Sequence, residues 1–272
     1  MPLITVTCTM GTGGRRIAQK AAEALHLDVY DDAKFQEAAQ RAGIPAADRA
    51  NLDERPPGFW GYIWRQKPEA YINLMESLVY DLAKKGQGVI VGHAGQILLS
   101  DFNCALHVLI FAPEERRTQQ LAEQHKMSPD NAGKLIRKAD HDLQGFFHFA
   151  FQKSLHDISL YDLVINTAKT QEDAAAKLIV EAAQSDAISE CSLQALQSME
   201  GLALAKRVEA AILKTELSLT QVNVEVPTAG QVLLTGLVYS DVGKDTLLKA
   251  VKGVPGVKGV RSEISIVPVQ HY

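Results

Sequence analysis

Apolar residues in the first two thirds of the chain fall into short, nearly unbroken runs, separated by stretches where they recur every three or four positions. The runs Leu3–Cys8, Gly88–Val91, 106–111 and Leu163–Asn166 predict strands buried on both faces. Between them the period is helical. Ile17, Ala21 and Leu25 line one face of a first amphipathic stretch. Tyr71, Leu74, Leu78 and Leu82 line a longer one that opens after Pro68 and closes at Lys84-Lys85-Gly86. Ser128-Pro129-Asp130 starts another, with Ala132, Leu135 and Ile136 as its apolar face, and an alanine-rich helix follows over 171–183. This alternation predicts an α/β domain over 1–184, a parallel sheet with helices on both faces in three layers.

The pattern then changes. Residues 185–202 are weakly patterned and serine-rich, which suits a linker or a connecting helix. Beyond it, 203–214 is helical, Val222, Val224 and Val226 alternate as a strand, and a turn at 228–230 leads into a second alternating strand through Val232, Leu234 and Gly236. A helix over about 241–252 and a last strand over 261–267 complete a small α+β domain, 203–272, ordered helix, hairpin, helix, strand.

Composition adds mainly exclusions. The 272 residues are 46% hydrophobic and 22% charged, enough for well-formed cores and unlike a disordered chain. A net charge of −4, with eight Lys/Arg against six Asp/Glu in 203–272, gives no reason to expect nucleic acid as a partner. No apolar run approaches the roughly 18 residues of a membrane span, and no secretory leader pattern opens the chain. Cys8, Cys104 and Cys191 are odd in number, scattered and without a CxxC pair, so neither a disulfide framework nor a zinc site is expected. The sequence reads as soluble, reduced and cytoplasmic.

Candidate chemistry concentrates at 4–17, Ile-Thr-Val-Thr-Cys-Thr-Met-Gly-Thr-Gly-Gly-Arg-Arg-Ile. A strand enters a glycine turn that opens a helix, which aims backbone N–H groups at one point and makes an anion site. Thr12, Arg15 and Arg16 are placed to add donors for phosphate oxygens. Neither standard motif fits. A dinucleotide fingerprint needs a third glycine where Arg16 stands. A phosphate-binding P-loop has lysine where Gly14 stands and a magnesium-binding hydroxyl where Arg15 stands.

Several ordered blocks together resemble the cytidylate kinase-like proteins of the P-loop nucleoside monophosphate kinase group. Gly11-Thr12-Gly13-Gly14-Arg15 is similar to that family's variant loop, which also has glycine in place of lysine. Leu27-Asp28-Val29-Tyr30-Asp31 resembles its strand ending in Tyr-Asp, and Val89-Ile90-Val91-Gly92-His93-Ala94 resembles a block usually ending Gly-Arg-Gly. Phe111-Ala112-Pro113 through Arg117, then Asp140, then Tyr161-Asp162-Leu163-Val164-Ile165-Asn166 follow in order. The resemblance implies a P-loop kinase-like sheet and transfer of a phosphoryl group from ATP, with magnesium, to a nucleoside monophosphate such as CMP. It implies phosphate binding by Gly11, Gly13, Gly14, Arg15 and Arg16. Asp31 and His93 would lie on the acceptor side, and Arg117, Arg137 and Asp140 in the lid. The sequence departs from the family where charge matters. His93, Gln120 and Leu143 replace arginines, and Phe146-Phe147 replaces a tyrosine pair. Since one arginine finger contributes about 10³–10⁵ in rate, a catalytically degenerate nucleotide sensor or scaffold is the alternative reading.

Residues 203–272 resemble a BON domain through Gly230-x-Val232-x-Leu234-x-Gly236-x-Val238, Ala250-Val251 and Val254-x-Gly256-Val257. That resemblance implies an interaction module, with a protein partner or a second copy as its ligand. Two further clusters favour structural readings. His141, His148 and His156 suit a solvated helix better than a metal site. Trp60, Tyr62 and Trp64 suit packing somewhat better than base stacking.

Overall fold

A computed structural model describes residues 2–42, 44, 68–186, 188, 190–215, 217 and 221–267. The aromatic 56–64 segment lies outside them. Among the described residues no helix is long and apolar enough to cross a membrane.

The first sheet has five parallel strands, β1 (Leu3–Cys8), β2 (Val29–Tyr30), β3 (Gly88–Val91), β4 (Ala105–Phe111) and β5 (Leu163–Asn166), in the order β2-β3-β1-β4-β5. The registers Leu3↔Gly88 and Leu3↔Ala105 place β1 at the centre. Alternation along β1 sorts its side chains between two cores. Ile4 and Val6 pack with Val89, Val108 and Ile165 under α1 (Gly14–Leu25) and α7 (Glu172–Ala183), through Ile17, Ala21, Ala175 and Ile179. On the other face Leu3 and Ile90 pack with Phe35 of α2 (Asp32–Arg41) and Leu78, Val79 and Leu82 of α3 (Pro68–Ala83). Thr5 and Thr7 also point to that face and are buried, so each has a polar partner. The Thr5 hydroxyl lies 2.8 Å from Nδ1 of His107, and Thr7 donates to Gln96 at 2.9 Å. Gln96 belongs to the short helix α4 (Gly95–Leu98).

After β4, α5 (Glu114–His125) and α6 (Pro129–Phe151) form a helical hairpin. Ser128 caps α6 by accepting from the Asn131 N–H, as the Ser-Pro-Asp start predicts. Phe146 and Phe147 pack edge to face with each other and with Phe151 and are buried in the α3-side core.

The C-terminal sheet is β6 (Val222–Thr228), β7 (Gln231–Val238) and β8 (Gly259–Ile266), with β6–β7 antiparallel and β7–β8 parallel. α9 (Asp241–Lys252) supplies the crossover. Gly236 has φ +116°, and a side chain there would enter the Gln221 carbonyl, so glycine is required where β7 passes the start of β6.

One feature narrows the sequence reading and another departs from it. Of the two forms open for 185–202, the second half is helical: α8 runs Leu193–Leu213, capped by Ser192. Its apolar residues serve both cores at once. Met199 and Ala203 pack on the α3 side, while Leu204, Val208 and Ile212 pack under the small sheet. A helix apolar on two sides presents no single stripe, which hid its first half. The cysteines are a correction: Cys104 and Cys191, 87 positions apart in sequence, form a disulfide with Cα atoms 4.9 Å apart, and Cys8 takes no part in it. Only docking of the α8 entry beside the start of β4 brings the pair within bonding range, and spacing carries no trace of that.

Candidate functional site

Residues 9–13 turn the chain from β1 into α1 at the C-terminal edge of the sheet. Gly11 and Gly13 have φ of +82° and +74°. A side chain at Gly11 would stand 2.9 Å from the Arg117 carbonyl oxygen, so the turn lies against the first turns of α5. Gly14 packs against Cys8, again with no room for a side chain. Gly13, the N-cap of α1, offers no capping side chain and no acidic residue occupies the first turn, although the Thr12 hydroxyl accepts from the Gly14 N–H; α2, α6, α8 and α9 are capped by Asp31, Ser128, Ser192 and Ser240. Beyond the Gly14 N–H, the positive end of α1 is left for an anion from outside the helix.

A cleft of about 590 Å³ opens over this end. Its lining comes from Cys8, Met10, Gly11, Gly13, Gly14, Arg15 and Arg16 on the loop side, and from Val91 and Gly92 at the end of β3. The hairpin contributes Leu121, Gln124, His125, Asp140, Leu143 and Phe147. Topology therefore gathers the glycines, both arginines and Asp140 around one volume, at the strand C-termini where open α/β sheets bind ligands.

The other candidates are placed differently. Thr12 is buried. Its hydroxyl donates to the Thr9 carbonyl at 2.8 Å and accepts from the Gly14 N–H, so it closes the turn internally. Asp31 caps α2, accepting from the Lys34 N–H at 3.2 Å. Its neighbour Asp32 is the carboxylate that reaches the loop, accepting from Arg15 at 2.7 Å. His93 is fully buried, stacked on Phe35 at 3.6 Å between ring centroids, with Nε2 3.5 Å from Asp32. Arg117 does not stand free in the lid. Its guanidinium is buried, donating to the carbonyls of Ala112 at 2.9 Å and Met10 at 3.2 Å and, bidentately, to Asp140 at 3.0 and 2.7 Å. A buried guanidinium needs acceptors on every edge, and here they come from the glycine turn, the end of β4 and α6. Arg137 is exposed and pairs with Glu114 at 2.7 Å across the hairpin. Among the described residues no group of three or more His, Cys, Asp or Glu is placed to hold a metal.

The cations around the turn are thus paired with carboxylates. Arg16 donates to Glu172 at 2.9 and 2.5 Å, and Lys20 to Asp173 at 2.5 Å. Glu172 was not singled out from sequence, since an acidic first residue of a helix is ordinary dipole compensation. Asp32 was legible in principle. In Asp-Asp after a strand, the first residue suits the cap and leaves the second to face inward.

Burial alone would raise the Asp32 carboxyl, but hydrogen bonds from His93 and Arg15, and the charge of Arg15, hold it well below the usual carboxylate range. A depressed folded pKa means its stabilisation is complete above the ordinary carboxylate pKa and is lost as pH falls through the folded value. Asp32→Asn should therefore flatten the acid limb of a stability-against-pH curve. An unchanged acid limb in urea melts would show that Asp32 does not anchor Arg15 and His93.

Fold and site together define a P-loop kinase-like α/β protein with a small C-terminal α+β domain. The model of the cytidylate kinase-like family matches residues 3–169, more than half of the chain, and the chain belongs to that family. The BON domain model matches residues 202–268. The cytidylate kinase of Pyrococcus horikoshii is 26% identical over 170 residues, spanning 61% of this chain and 80% of that protein. That of Methanocaldococcus jannaschii is 26% identical over 170 residues, spanning 61% and 89%. Among solved structures, an uncharacterized protein from Eubacterium ventriosum superposes with a TM-score of 0.52 at 20% identity, covering 68% of this chain and 99% of that one. That last likeness is one of fold.

Proposed function

We propose that the cleft over the phosphate turn binds a nucleoside triphosphate, its phosphates against Gly11, Gly13 and Gly14 at the open end of α1. The observation that carries this is the glycine-led helix start, with no capping side chain at Gly13 and no acidic first turn, facing a volume of about 590 Å³, the size of a nucleotide site. Arg15 and Arg16 lie where they would neutralise phosphate charge once released from Asp32 and Glu172. Family membership supports transfer to a nucleoside monophosphate, CMP by analogy with the related kinases. In such a transfer an acceptor phosphate oxygen attacks the γ-phosphorus in line and the β–γ bridging bond breaks, while the protein positions and neutralises charge. Magnesium would be held chiefly by the phosphates, because Arg15 occupies the hydroxyl-ligand position and Asp32 is engaged by Arg15.

One observation favours the sensor reading instead. With no lysine at position 14, the cations that could stabilise the transferring group, Arg15, Arg16 and Arg117, all begin paired to Asp32, Glu172 and Asp140. Unpairing them draws on binding energy that would otherwise lower the barrier. The two readings part in one experiment, a melting panel with ATP, ADP and CMP, each with and without magnesium, followed by a turnover assay. ATP at 100 times its Kd should add about 2.7 kcal/mol, roughly 5–10 °C in Tm. Turnover with an acceptor selects the kinase; a shift without turnover selects the sensor. No shift with any of them overturns nucleotide binding at the turn.

A further inference from the structure

A second cleft, of about 410 Å³, lies where the two domains meet. The C-terminal ends of α2 and α3 contribute Arg41, Asp81, Lys84 and Lys85, and the other side is Arg207 of α8 with the Pro255-Gly256 turn before β8. It carries four cations against one carboxylate. Asp81 accepts from both Arg207 and Lys84, the latter at 2.8 Å, so it offsets one charge between them. Lys85 has a neutral partner, donating to the Tyr30 hydroxyl at 3.1 Å with its ammonium 4.8 Å from the ring centroid. Arg41 donates through Nε to the Glu37 carbonyl of its own helix.

Helix dipoles explain part of this charge. The C-terminal ends of α2 and α3 each supply about half a negative charge, which leaves an excess of about two positive charges in the cleft. Arg207 adds an independent sign. It is mostly buried at the seam, and its Nε is buried with no hydrogen-bond partner among the described residues. Arg207 also lines the cleft itself, beside the Pro255-Gly256 turn. Two excess positive charges, a guanidinium at the seam and apolar walls from Ala38, Ala42 and Leu82 match one ligand chemistry, a dianionic phosphoryl group on a small organic body.

We propose that this seam is a binding site for a small organic phosphate, held by Arg41 and Lys84 from the kinase-like domain and Arg207 from the BON domain. Because its donors come from both domains, the ligand fastens one to the other and makes their association responsive to its concentration. The site is separate from the phosphate turn and stands whether or not the turn binds nucleotide.

Pyrophosphate is the probe, titrated calorimetrically into the full-length protein at low salt. Arg41→Gln/Lys84→Gln removes two cations while leaving Arg207 on Asp81, so the seam keeps its contact. Arg15→Gln/Arg16→Gln disables the turn instead. Pyrophosphate should still bind the turn variant, whose seam is intact; adding the seam substitutions to that variant should weaken binding about tenfold or more, and added salt should weaken it further. Equal binding by the turn variant with and without the seam substitutions overturns the proposal. So does loss of all binding in the turn variant, or no binding to the wild type up to about 10 mM, a Kd near the weak end of specific recognition. Binding to phosphatidic acid vesicles without response to pyrophosphate would equally overturn it, by assigning the charge to a membrane surface.

Discussion

Arg117→Ala is expected to destabilise the protein by about 3 kcal/mol and to abolish the melting response to ATP. The guanidinium ties the glycine turn, through the Met10 carbonyl, to α6, through both oxygens of Asp140. Removing it strands Asp140 and leaves two carbonyls without a donor, and Gly11 loses the backbone it rests on as that turn of α5 relaxes. The lower end of the range for a broken buried pair applies because Asp140 is 33% exposed. In Tm this is roughly 6–12 °C. Arg117→Lys keeps the charge without the planar fork and should fall between. If Arg117→Ala melts like the wild type and still responds to ATP, the strut between turn and lid does not exist.

The second large effect concerns Cys104–Cys191. Closing a loop of 87 residues is worth about 4–5 kcal/mol in the chain-entropy model, with measured values nearer 2–4. Cys104→Ser/Cys191→Ser should therefore lower Tm by roughly 5–15 °C, and reduction of the wild type should do the same. The bond fastens the entry of α8 beside the Gly86 turn, where Leu196 and Cys191 crowd that glycine, so its loss frees the helix that joins the domains. Alkylation in denaturant without reductant should label Cys8 alone, and all three cysteines after reduction. Three labelled thiols before reduction, in protein taken directly from cells, would show that the pair is open in its own compartment and that the cytoplasmic reading of the sequence holds there.

The glycine turn was legible because its requirements are local. A strand, positive φ at Gly11 and Gly13, and a following helix are all written within a dozen residues. Roles that depend on which neighbour a side chain meets were not. Arg117 and Arg137 both read as lid arginines, yet one is buried beneath the turn and the other paired on the surface. Asp31 and Asp32 are adjacent and chemically identical, and only the geometry of the α2 cap sends one to the backbone and the other to Arg15.

By itself the sequence determined the order of strands and helices, the two domains' characters and the position of the glycine turn, because periodicity and glycine punctuation act over a few residues. Tertiary structure alone decided which carboxylate meets each arginine, that α8 serves two cores, that Cys104 finds Cys191, and that Arg41 and Arg207 share a cleft. Each of these joins residues far apart in the chain. Their meeting depends on how whole elements pack, and no local pattern records it.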